Sequence, residues 1–148
     1  MRRRSSGASW LAGVALLAAL VFPGGAGATE EEAFEAAKGA TQALVKRGFD
    51  VQATLWAGML PPGGRTSVEV TMFEGNEYLL IVGGCKECQD VDLAVYDEDW
   101  KLLTRDQDST HAAGVSLRPP HTGTYHVVVE MYRSAPDGAH WALVTAFR

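Results

Sequence analysis

Cys85 and Cys88 form a C-x-x-C pair within GGCKECQDVDLAVYDEDW, residues 83–100. Three chemistries use that spacing: thiol–disulfide exchange, zinc ligation, and a disulfide that closes a turn. A thioredoxin-type pair opens a helix in a βαβ unit, where the helix N-terminus lowers the thiol pKa. Here two glycines precede the pair and an alternating, strand-like sequence follows it. Zinc would need about two more ligands. His111, His121, His126 and His140 are scattered, and the chain has no second C-x-x-C. The expectation is therefore a Cys85–Cys88 disulfide. In the chain-entropy account so small a loop stabilises by only about 2 kcal/mol, so its main effect would be to hold the turn.

Carboxylates follow at once. Eight of the eighteen acidic residues lie between Cys85 and Asp108, with only Lys86, Lys101 and Arg105 interleaved. Asp90 and Asp92 are two apart on a predicted strand and so project from one face. If Asp106 or Asp108 folds back beside them, their oxygens would suit a hard cation, and Ca²⁺ is the candidate. The glycine and distal glutamate of an EF-hand are not at the required offsets. The plainer alternative is a solvated acidic face with turn residues.

Trp100 adjoins the polar turn Asp97-Glu98-Asp99 and is the tryptophan expected to be exposed enough to contact a ligand ring. Its alternative role is to fold over a sheet edge. His126 and Glu130 share a strand face with Val128, read as solvated or partly covered. There is no G-x-S-x-G elbow, and no carboxylate pair has distinguishable surroundings, so catalysis is not expected.

These residues need a scaffold, and the ends of the chain say where it folds. Arg2, Arg3 and Arg4, an apolar run from Trp10 to Phe22, a Pro23-Gly24-Gly25 break and Ala26-Gly27-Ala28 read as a secretory signal peptide, residues 1–28. The run of about thirteen residues is short for a span, which needs roughly twenty. The expected location is therefore periplasmic or secreted, without a membrane span once the signal is removed. Removal takes away three arginines and no acid, so the formal charge of −5 becomes −8. That balance argues against nucleic acid or anionic lipid, which demand clustered Lys and Arg. In an oxidising compartment, pairing is also the default for two cysteines.

Residues 29–48 predict a helix. Thr29 and Glu32 fit a capping box, and Phe34, Ala37, Thr41, Leu44 and Val45 recur at helical spacing before Gly48. Beyond Gly48 the period becomes two. Val51–Met59, residues 67–72, Tyr78–Val82, 91–96, Leu102-Leu103, 115–117, 125–131 and 141–147 read as strands, separated by Pro, Gly and Asn turns. Seven or eight short strands over 49–148 predict an all-β antiparallel sandwich preceded by one helix.

The order MFEGNEYLLIVGGC, DVDLAVYDED and PPHTGTYHVVVEM resembles the bacterial pre-peptidase C-terminal (PPC-like) domains, over about Val68 to Phe147. The resemblance implies a jelly-roll-like sandwich, exported and without catalytic activity of its own. It also implies calcium in some relatives, or help in binding polymeric substrates. Where the family often has a glycine after the D-x-D-L strand, this chain has Trp100. The expected function is a non-catalytic binding or interaction module of the cell envelope, Ca²⁺-stabilised if the acids converge, with a protein or glycan partner. The competing readings are an exported thiol–disulfide oxidoreductase using Cys85 and Cys88, and a purely structural envelope protein.

Overall fold

Thr29 caps helix α1 (Glu30–Val45), its hydroxyl accepting the Glu32 N–H at 3.2 Å. Glu30, Glu31 and Glu32 fill the first turn, where unpaired N–H groups favour negative charge. The computed structural model describes residues 29–52 and 55–148, and the signal peptide expected over 1–28 lies outside them. The buried stripe of α1 is Ala33, Ala37, Thr41 and Leu44. Val45, expected on that stripe, is exposed instead, and Ala33 lies one turn before Ala37 in its stead. At the far end the Leu44 carbonyl accepts N–H bonds from both Arg47 and Phe49, while Gly48 turns the chain with φ of 84°.

Nine strands follow among the described residues: β1 (Asp50–Val51), β2 (Trp56–Leu60), β3 (Arg65–Met72), β4 (Tyr78–Gly84), β5 (Cys88–Tyr96), β6 (Leu102–Asp106), β7 (Ala112–Leu117), β8 (Gly123–Ser134) and β9 (Ala139–Phe147). The single strand expected over Val51–Met59 is two. β1 and β2 both pair with β9, at Asp50↔Phe147 and at Trp56↔Leu143.

All pairings are antiparallel. One sheet runs β1–β9–β4–β7 with β2 also on β9, and the other runs β3–β8–β5–β6. Numbered from β2 to β9, eight strands take the orders first-eighth-third-sixth and second-seventh-fourth-fifth. That is the double Greek key of a jelly roll. The fold is an all-β sandwich with one N-terminal helix, as the strand pattern predicts, and its strand order is the jelly roll that the resemblance implies.

The core lies between the sheets. Tyr78, Leu80 and Val82 of β4 share it with Val91, Leu93 and Val95 of β5 and Val127, Val129 and Met131 of β8. On the other side of β4, Leu79 and Ile81 pack with Leu44, Phe49 and Ala146 beneath α1. Both faces of β4 are therefore covered, which is why Tyr78–Val82 is apolar without interruption. The β8 sequence alternates because only one of its faces meets the core. α1 packs against β9 and β4, so the helix closes the outer face of the first sheet. Among the described residues the outer face of β3–β8–β5–β6 has no such layer.

Two clamps close the ends. Tyr125 is fully buried and its hydroxyl donates to the His121 carbonyl at 2.6 Å, a corner that fixes the approach to β8. Arg148 bonds Glu77 through Nε at 2.9 Å and lies 4.4 Å over the Phe49 ring. That hydrogen bond, with burial opposing it and the charges of Arg148, Arg118 and Arg47 helping, holds the Glu77 carboxyl below its ordinary value.

Candidate binding face

The β5–β6 hairpin turns at Asp97–Lys101. The Trp100 N–H donates to the Asp97 carbonyl at 3.1 Å, and the Asp97 N–H donates to the Lys101 carbonyl at 3.0 Å. Asp97 Oδ1 also accepts N–H bonds from Asp99 at 3.0 Å and Lys101 at 2.9 Å. This is a type I turn followed by a left-handed residue, a position that glycine usually takes. Trp100 occupies it with φ of 60°, alone among the described non-glycine residues in that region. A side chain there costs about 1–2 kcal/mol. A tryptophan at this position therefore adds backbone strain as well as a side chain.

The Trp100 ring stacks on the imidazole of His126, with centroids 4.0 Å apart and planes within 4°. Tyr96 lies against its side at 5.8 Å. Trp100 nevertheless stays 54% exposed, so one ring face is spent on His126 and much of the rest is presented to solvent. His126 is placed by β8, opposite Glu69 of β3, with Nδ1 3.9 Å from the Glu69 carboxylate. The sequence marks His126 as an outward position but does not pair it with Trp100. Only the left-handed turn brings a residue twenty-six positions earlier onto the same patch.

Further along the same face lie Asp90 and Asp92. β5 and β8 slip twice here, leaving Gln89 and Tyr132 without cross-strand partners. Bulges of this kind re-aim side chains. Asp90 is 3% exposed, its Oδ2 3.6 Å from Arg133 Nε, and its Oδ1 is buried with no hydrogen-bond partner. Asp92 stands opposite Glu130, which pairs with Arg65 at 3.3 Å. Burial raises the Asp92 carboxyl pKa, and the charges of Asp90, Glu130 and Asp106 raise it further. The two aspartates, Gln107, Ser109 and Tyr132 line one open pocket of about 300 Å³. A smaller cleft of about 60 Å³ adjoins it at Asp92, Arg105 and Glu130.

The four acids considered for calcium do not converge. Asp106 stands opposite inward-facing Leu93, and both its oxygens already accept backbone N–H bonds, Oδ1 from Asp108 and Oδ2 from Gly114 of β7. It ties β6 to the edge of the other sheet. Asp108 continues that turn through its carbonyl, which accepts from Thr110 at 2.7 Å. Neither lines the Asp90–Asp92 pocket. Among the described residues no group of three or more His, Cys, Asp or Glu is placed to hold a metal ion. The residues present do not fit the calcium site that the family resemblance implies.

Cys85 and Cys88 are buried and not bonded to one another in this structure. The Cys88 N–H donates to the Cys85 carbonyl at 2.9 Å, closing a β-turn, and Cys85 Sγ accepts the His140 N–H at 3.3 Å. Burial, opposed by the backbone N–H of Asp90 and added to by the charges of Cys85 and Asp90, pushes the Cys88 thiol up to about 11. Both thiols are buried, so neither has the solvent access that a redox nucleophile needs. The preceding glycines serve close packing. A Cβ on Gly83 would lie 2.5 Å from the Ala37 nitrogen, and one on Gly84 would lie 2.3 Å from Cys88 Cβ. α1 is further tied to the turn by the Lys86 N–H, which donates to Glu32 at 3.4 Å.

No family model matches this chain, and no curated protein matches it. Thirteen solved chains do. Among them is PliG of Aeromonas hydrophila, a periplasmic lysozyme inhibitor of g-type lysozyme. It is 14% identical, with 64% of this chain and 85% of that one covered and a TM-score of 0.49. No described helix is long and apolar enough to cross a membrane.

Proposed function

We propose that this chain is an exported, non-catalytic binding module of the PPC-like kind that engages a protein partner of the cell envelope through the outer face of β3–β8–β5–β6. The observation that carries the reading is the Trp100 platform. A tryptophan held at φ of 60° where glycine would be unstrained, stacked on His126 and still half exposed, is a pre-organised contact surface. Aromatic rings of this kind supply large contact area at little entropic cost. Export rests on the signal sequence of residues 1–28. The burial of both thiols weighs against the oxidoreductase reading, and a structural Cys85–Cys88 disulfide belongs to the proposal. The β-turn they close keeps the Cα atoms within disulfide reach.

Trp100→Gly is the variant that tests this. The substitution relieves roughly 1–2 kcal/mol of backbone strain and loses a ring contact worth about 0.5–1.5 kcal/mol, so stability should hardly change. Immobilised wild-type protein should retain a discrete envelope protein from a detergent extract, and the Trp100→Gly variant should not. Equal retention by both would remove Trp100 from the function.

A further inference from the structure

The Asp90–Asp92 pocket holds more negative charge than its surroundings compensate. Arg133 approaches Asp90 only through Nε, at 3.6 Å from Oδ2, beyond hydrogen-bond length, and the other oxygen is buried without a partner. Buried carboxylate oxygens are otherwise hydrogen-bonded as a rule. Among the described residues no hydrogen bond or ion pair reaches the Asp92 carboxylate, and the side chain directly opposite is another acid, Glu130. All five lining residues, Asp90, Asp92, Gln107, Ser109 and Tyr132, carry a side-chain oxygen. The pocket is lined by acceptors and by no cationic side chain among the described residues. Arg105, opposite Ala94, lines the adjoining cleft and makes no ion pair of its own among the described residues.

We propose that this pocket is the receptor for the guanidinium of an arginine side chain presented by the protein partner. Three features select that group over a metal ion. A divalent cation wants several oxygens converging at about 2.3–2.6 Å, and no three carboxylate, imidazole or thiol groups are so placed among the described residues. An open space of about 300 Å³ suits a planar side-chain head better than a bare ion. Tyr132, unpaired at its bulge and 60% exposed, stands at the rim, where a guanidinium can stack on its ring. The five N–H donors of arginine would meet the carboxylate oxygens of Asp90 and Asp92 and the neutral oxygens of Gln107 and Ser109. Gln107 and Ser109, two apart in the segment that follows β6, then have a common purpose.

The inference deepens the binding-face reading and rests on it, but the two fail separately. The test is a titration of ¹⁵N-labelled protein with N-acetyl-arginine amide, read by amide shifts at Asp92, Gln107, Ser109 and Tyr132. Saturable shifts confined to those residues are expected. Asp92→Asn should weaken the response about tenfold or more, while Trp100→Gly leaves it within about twofold. The rest of the Asp92→Asn spectrum reports that the variant is folded. No saturable shift, or an unchanged response in Asp92→Asn, overturns the proposal. So does a titration in which calcium chloride shifts these amides and the arginine amide does not, because the pocket is then a divalent-cation site. If the arginine response is absent while Trp100-dependent partner retention persists, the pocket assignment alone is lost. The reverse pattern removes the Trp100 face and leaves the pocket.

Discussion

Trp100 and Asp92 are the residues at which this chain accepts a local penalty. Trp100 holds a left-handed backbone that glycine would hold without strain, and Asp92 keeps a carboxylate among other carboxylates. Each penalty is a testable quantity. Because the folded-state pKa of Asp92 is raised, the folded state binds its proton more tightly than the unfolded chain does. Its ionisation therefore destabilises the fold. The effect is absent below the ordinary aspartate range and develops as pH rises through the raised folded value. Asp92→Asn should increase the melting temperature near neutral pH, and the gain should vanish in acid. An increase of the same size at both pH values would show that the carboxylate charge is not its source. A stabilising variant that loses the arginine response would be the usual exchange of stability for function. Tyr125 carries the opposite sign. Tyr125→Phe removes the 2.6 Å bond to the His121 carbonyl and should lower stability by about 1 kcal/mol in urea unfolding.

Helix α1 and Gly83 belong together. The Ala33 and Ala37 backbone rides directly on Gly83, and Gly83→Ala would bring a Cβ within 2.5 Å of a backbone nitrogen. The helix must then lift off β4, and a loss of about 1–3 kcal/mol is expected, measured by thermal unfolding with α1 amides losing exchange protection first. A variant as stable as wild type would mean that the helix is not seated on β4. The strands were legible in the sequence because period-two alternation reports one buried face, and unbroken Tyr78–Val82 reports two. The Asp90–Asp92 face was legible for the same reason. Three things were not. The division of Val51–Met59 into β1 and β2 depends on where β9 offers partners, which no local pattern records. The two bulges that leave Tyr132 beside Asp90 change the register without changing the alternation of residue types. Asp106 looks like any other acid of its run, and only the approach of β7 shows that its oxygens serve Gly114 and Asp108.

At the scale of the whole molecule the proposal places the partner on the sheet that α1 leaves uncovered among the described residues. α1 closes the outer face of one sheet, and the other sheet presents Tyr96, Asp92 and Tyr132 on β5 and β8, with Trp100 in the β5–β6 turn. Because the acids do not converge on a metal site, the melting temperature should be the same in millimolar calcium and in EDTA. A shift between the two would restore the cation to the account. The central claim is that the partner occupies the open face of β3–β8–β5–β6. Hydroxyl-radical footprinting of the protein, free and with the retained envelope partner, tests it most directly, since exposed aromatic and methionine side chains report contact. Trp100 and Tyr132, 54% and 60% exposed, should lose reactivity, while Met59 of β2, 52% exposed on the other sheet, keeps it. Protection of Met59 with Trp100 and Tyr132 still reactive would contradict the account.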